Sequence, residues 1–188
     1  MKIVGISGSL RQGSYNTKLL RAAVELLPDG VELELFDGLK AVPPYDEDDD
    51  RDPAPAAVSR LREAIAGADG ILFATPEYNS SIPGALKNAI DWASRPLATN
   101  PLRNKPVAVI GSSTGMFGAV WAQAELRKVL AATGARVAEA ELAVGHAQTR
   151  FDDEGRLVDH EIREQLQEAV DLLVAEIVES RERRAVAA

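Results

Sequence analysis

Three short stretches carry residues that could do chemistry. The first is Gly8-Ser9-Leu10-Arg11-Gln12-Gly13-Ser14-Tyr15-Asn16-Thr17, which gathers two glycines, three aliphatic hydroxyls, two amides and an arginine ahead of a helical pattern. Glycines let backbone N–H groups turn toward a ligand, and a helix N-terminus adds favourable potential for an anion. Arg11 can pair two phosphate oxygens at once. The stretch suits one terminal phosphate, though a βα loop capped by Ser14 or Asn16 is the plain alternative. It is neither GxGxxG nor GxxxxGK[ST], so it lacks the dinucleotide and Walker signatures.

The second stretch, Thr75-Pro76-Glu77-Tyr78-Asn79-Ser80-Ser81-Ile82-Pro83-Gly84, is polar and bracketed by prolines that stiffen it. Its backbone groups beside Tyr78 could hold the edge of a flat heteroaromatic ring. The third, Gly111-Ser112-Ser113-Thr114-Gly115-Met116-Phe117-Gly118, again mixes glycine and hydroxyls before a helix. Glycine there lets a planar ligand approach the backbone.

The elements around these stretches decide whether they meet. Buried strands are expected at Lys2–Ser7, Gly70–Thr75 and Pro106–Gly111, an alternating outer strand at Val31–Phe36, and a fifth strand at Arg136–Leu142. Helices are expected at Ser14–Leu27, Val58–Ala66, Pro83–Ser94, Phe117–Thr133 and about Asp159–Glu179. The last has an apolar stripe of Ile162, Leu166, Val170, Leu173 and Ile177. Residues 181–188 read as a frayed tail after one domain over 1–180. Alternating strands and helices give a parallel sheet covered on both faces, a three-layer α/β/α sandwich. Ligands in such sheets bind beyond the carboxyl ends of the strands, where strand order reverses. All three stretches fall there. A phosphate cradle, a ring-edge platform and a glycine turn fit a mononucleotide with a flat head, which points to FMN.

Composition narrows the rest. The chain of 188 residues has no cysteine, which excludes disulfides, thiolate chemistry and Cys-based metal sites. With two histidines, His146 and His160, a His-rich metal centre is not expected. The net charge of −8 argues against nucleic-acid binding. No apolar run approaches a membrane span, and the opening residues are too short a run for a signal peptide, so a soluble cytoplasmic protein is expected. The acidic run near Asp46–Asp50 is expected to be a solvated surface.

At GSLRQGSYN (Gly8–Asn16), PEYNSSIPGALKNAIDWASRP (Pro76–Pro96) and SSTGMFG (Ser112–Gly118) the chain resembles the NAD(P)H-dependent FMN reductases of the flavodoxin-like superfamily. The resemblance implies a five-stranded parallel sheet in the order 2-1-3-4-5. It implies that Ser9, Arg11, Gly13, Ser14, Asn16 and Thr17, with Tyr15 among them, hold the FMN phosphate. Pro76, Glu77, Tyr78 and Asn79 would border the ring, and Ser112, Ser113, Thr114 and Gly115 would approach it from the other side. Gly118 would let the next helix start close by. It further implies hydride transfer from NADPH or NADH through FMN to a small-molecule electron acceptor such as a quinone, and a homodimer or homotetramer. No side chain is expected to act as catalyst, since the flavin performs the chemistry. Arg95 has two readings, a subunit contact or the nicotinamide phosphate. A flavodoxin-type electron carrier and a flavin-binding module without turnover are the competing readings. One departure from the family pattern is Ala119 in place of a second glycine and Trp121 in place of an arginine.

Overall fold

The computed structural model describes residues 1–187, without the side chain of Ala187. Four strands, β1 (Lys2–Ser7), β2 (Glu32–Leu35), β3 (Gly70–Thr75) and β4 (Pro106–Ser112), form the body of a parallel sheet. β2 is the edge, and its alternation of exposed and half-buried residues matches its ELEL sequence. β3 and β4 are buried along their whole length because helices cover both faces. The order is β2-β1-β3-β4-β5, as expected, with β5 (Arg136–Val137) and a further short strand, β6 (Ala143–Val144), both pairing with β4.

The fifth strand is therefore split rather than continuous over Arg136–Leu142, and the cause is Arg127. The Ala138 N–H still donates to the Val107 carbonyl, at 2.8 Å. The next carbonyl along β4, that of Val109, instead accepts from the Arg127 guanidinium at 3.2 Å, and the same nitrogen donates to the Ala140 carbonyl. The inserted guanidinium satisfies the carbonyls a ladder bond would have used and interrupts the pairing over residues 139–141, after which the Gly111 N–H donates to the Leu142 carbonyl at 2.9 Å.

α1 (Tyr15–Val24) and α5 (His160–Ala187) pack on one face. Leu19, Leu20, Ala23, Leu166, Val170, Leu173 and Ile177 meet Ile3, Leu72 and Ile110 there. α2 (Ala56–Ala66), α3 (Gly84–Ala93) and α4 (Val120–Ala132) cover the other, where Leu61, Ile65, Leu86, Ile90, Leu126 and Leu130 meet Val4, Phe73 and Val109. α1 stops at Val24, which is exposed, three residues short of the expected Leu27. α5 begins under Asp159, whose carboxylate accepts from the Ile162 N–H at 3.0 Å. It then runs on to Ala187. Arg181 pairs with Asp69, and Arg183 with Glu176 and Glu179, so the fraying expected from residue 181 does not begin there. Ala188 lies outside the described residues.

Trp92 is fully buried and donates to the Pro43 carbonyl at 2.8 Å, and Asn88 donates to the same oxygen. These bonds anchor the proline-rich loop. Asp46–Asp49 of the acidic run are exposed, whereas Asp50 turns in to pair with Arg62 at 2.8 Å.

Candidate functional site

The carboxyl ends of β1, β3 and β4 open into a cavity of about 380 Å³. Every residue lining it was singled out by sequence: Ser9, Arg11, Ser14, Tyr15 and Asn16 from the first loop, Pro76, Glu77 and Tyr78 from the second, and Ser112, Ser113 and Thr114 from the third. Gly13, Thr17, Asn79, Gly115 and Gly118 do not line it.

The first loop is built to meet an anion. Ser14 caps α1, its hydroxyl accepting from the Thr17 N–H at 3.2 Å. Among the described residues, the N–H groups of Arg11, Gln12, Gly13, Tyr15 and Asn16 donate to no protein acceptor. With the α1 dipole behind them and Arg11 exposed at the rim, they form a nest for a phosphate. Arg11 lies 5.3 Å from the Tyr15 ring centroid. Tyr15 stacks on Phe151, and Lys18 sits over both rings. Phe151 and Lys18 had no local sequence signal; only the fold brings them beside the loop.

Two residues expected to hold the phosphate use their side chains elsewhere. The Thr17 hydroxyl donates to Ser7 Oγ at 3.0 Å, so Ser7 is a support that no motif flagged. The buried Asn16 carboxamide donates to the Ser112 carbonyl at 3.0 Å and accepts from the Ser112 N–H at 2.9 Å.

The second loop is a miniature hairpin. Tyr78 and Ser81 exchange two backbone bonds of 3.0 and 3.1 Å around Asn79 and Ser80. Both central residues have positive φ, 52° and 59°, the signature of a type I′ turn. Glu77 does more than border a ring. One carboxylate oxygen accepts from the N–H groups of Trp121 and Ala122, at 3.0 and 3.1 Å, and so caps α4 from a distance.

That cap explains why α4 begins at Val120 rather than at Phe117. Gly118 and Ala119 both take left-handed backbone, with φ of 58° and 66°. A Cβ on Gly118 would lie 2.4 Å from the Ala143 carbonyl carbon. Gly118 thus seats the third loop on β6. Gly145 seats β6 on the same loop, since a Cβ there would lie 2.2 Å from the Met116 oxygen. Ala119 lacks that freedom and carries the usual cost of a left-handed residue, about 1–2 kcal/mol.

The third loop is tied to β6 and the segment after it. The Ser113 N–H donates to Val144, and the His146 N–H to Gly115, each at 3.0 Å. Ser112 is fully buried, and its hydroxyl has no protein partner. An orphaned buried hydroxyl costs about 1–3 kcal/mol unless a water or ligand atom satisfies it.

Larger hollows exist but do not offer this chemistry. One of about 620 Å³ lies between α3 and α4 beside Arg95, Arg103 and Asn104. It sits at the amino ends of the strands, since Asn104 lies two residues before β4. Arg95 lines this hollow and not the carboxyl-rim cavity. Another of about 540 Å³ lies beside Arg127 and α5. Among the described residues no cluster of three or more metal-ligating side chains occurs, and no helix is long and apolar enough to cross a membrane.

The carboxyl-rim cavity fits FMN on its own residues: unpartnered amides and Arg11 for a phosphate, an orphaned hydroxyl deeper in, and a rigid hairpin along one side. Its volume lies at the lower end of ordinary cofactor sites. Residues 1–149 match the family model described as NADPH-dependent FMN reductase. The chain belongs to that family. It is 47% identical over 174 residues to an NAD(P)H-dependent FMN reductase of Pseudomonas aeruginosa, covering 92% of this chain and 93% of that one. It is 39% identical over 162 residues to a quinone reductase of Escherichia coli, covering 85% and 86%. Among solved structures, the flavoenzyme NAD(P)H:acceptor oxidoreductase FerB of Paracoccus denitrificans superposes with a TM-score of 0.86 at 37% identity, over 95% of this chain and 98% of that one.

Proposed function

We propose that the protein is a reductase domain spanning residues 1–180 that holds FMN in the carboxyl-rim cavity and reduces a small acceptor, a quinone being the first candidate. The observation that carries this is the convergence of the unpartnered amides of the first loop, the orphaned Ser112 hydroxyl and the Glu77–Ser81 hairpin on one cavity. Bound FMN supplies hydride transfer from NADH or NADPH to the acceptor. The chain binds and orients. Arg11 and the unpartnered amides of residues 11–13, 15 and 16 hold the phosphate. The hairpin, fixed by its own bonds and by Glu77 on α4, presents backbone N–H groups to the ring edge and favours negative charge there. Asn79, with its positive φ, sets the hairpin turn.

Met116, Phe117, Val120 and Trp121 are exposed beside the cavity, with Phe117 and Trp121 packed edge to face at 4.9 Å. Such a cluster suits a contact with a second copy, and we read the protein as a homodimer or homotetramer. Absence of cysteine and the acidic surface suit a cytoplasmic location.

The test is anaerobic. NADPH or NADH should bleach the flavin bands of the purified protein, and a quinone should restore them over many turnovers. A protein that takes up FMN but turns over no faster than free flavin with either nicotinamide would contradict the enzymatic reading.

A further inference from the structure

Asn16 lies in the loop that meets the phosphate, yet its side chain is committed. Its carboxamide is buried, and both of its atoms bond the backbone of Ser112, ninety-six residues away. With bonds of 3.0 and 2.9 Å, the amide reproduces a pair of strand-type bonds and ties the phosphate loop to the loop on the ring side. A carboxamide so used has one remaining N–H and one lone pair, both in a buried setting. The backbone of Ser112 is in turn fully occupied, while its hydroxyl is free and the residue lines the cavity.

We propose that the Asn16 side chain is a positioning group that sets the separation between the phosphate cradle and the ring-side loop, rather than a ligand of the phosphate. The inference rests on the FMN reading above. It separates two roles that sequence alone merges. A phosphate ligand matters only to flavins that carry a phosphate. A spacer between two loops matters to any flavin whose ring lies between them, riboflavin included.

The same geometry makes an unusual prediction for Asn16→Asp. An ionised carboxylate can accept from the Ser112 N–H but faces the Ser112 carbonyl with a second lone-pair oxygen, which repels it. A protonated acid is an isostere of the carboxamide, its O–H donating to that carbonyl. Burial and the facing Ser112 carbonyl favour the protonated acid, while the α1 N-terminus and Arg11 favour the carboxylate, so the repair sets in as pH falls.

The experiment uses flavin-stripped full-length protein, titrated with FMN and with riboflavin by fluorescence quenching, for wild type, N16A and N16D at pH 8 and pH 5.5. We expect N16A to weaken FMN and riboflavin by the same factor, about tenfold, because the two loops lose their preset spacing. At saturating FMN its visible spectrum should move toward that of free flavin. N16D should bind riboflavin as poorly as N16A at pH 8 and recover at pH 5.5. A general loss of folding would not recover with acid, and circular dichroism checks it. The proposal is overturned if N16A loses FMN affinity alone, if its FMN-saturated spectrum equals the wild type's, or if N16D shows no acid recovery for riboflavin while wild type keeps binding. A wild-type protein that binds neither flavin overturns the underlying cofactor reading instead.

Discussion

Removing the Glu77 carboxylate tests how the hairpin and α4 depend on each other. Glu77 accepts two N–H bonds at the start of α4, from Trp121 and Ala122. These are two of the four donors that a helix leaves without an internal partner. The residue that should cap the helix locally is Ala119, which has no acceptor and holds a left-handed φ of 66°. Glu77 therefore offsets an unfavourable start. Losing an N-cap acceptor costs about 1–2 kcal/mol, and water can reach the exposed Trp121 N–H and recover part of it. We expect Glu77→Ala to cost about 1–2 kcal/mol. For a chain of this size each kcal/mol lowers Tm by about 2–4 °C, so the fall should be about 2–8 °C. Glu77→Gln keeps an acceptor and loses only the charge near the helix dipole, so it should cost about half as much. Differential scanning calorimetry on flavin-free protein measures both. An unchanged Tm in E77A, or a larger loss in E77Q than in E77A, would refute the capping argument.

Gly118→Ala should cost more, about 3 kcal/mol or above, because it adds left-handed strain to a backbone clash against Ala143; urea unfolding of the variant measures it. Arg11→Ala should weaken FMN by about tenfold to a hundredfold and leave riboflavin affinity unchanged, as read by fluorescence titration. The Ile162 N–H, aided by the Arg150 pair and opposed by slight burial, holds the Asp159 carboxyl below its usual range. A lowered carboxylate stabilises above its unfolded pKa, and that contribution fades as pH falls through the folded value. Asp159→Asn should therefore narrow the gap between urea midpoints at pH 7 and pH 3; an unchanged gap would count against it.

The layout of the fold was legible because β3 and β4 are long apolar runs and α3 and α5 carry unbroken stripes. The split of the fifth strand was not, since Ala138–Leu142 is apolar enough for a strand and the cause is a guanidinium from α4. The start of α4 was misplaced for a similar reason. Gly118 and Ala119 turn the chain the wrong way for a helix, and the cap that permits it comes from Glu77, over forty residues earlier. Local pattern reports which residues are hydroxyls, amides and glycines, and every residue lining the cavity lies in one of the three stretches it flagged. It does not report what each side chain bonds. Asn16 and Thr17 look like free donors in the sequence and are spent on Ser112 and Ser7 in the fold. Gly145 could have been suspected from its place just after a strand, opposite the glycine turn.

The most direct measurement is the structure of the protein crystallised with FMN. The phosphate should lie against Arg11 and the unpartnered amides of residues 11–13, 15 and 16, with the ring between the Glu77–Ser81 hairpin and the Ser112–Gly115 loop. Flavin found instead in the hollow beside Arg95 and Arg103, or phosphate away from the α1 N-terminus, would contradict the account.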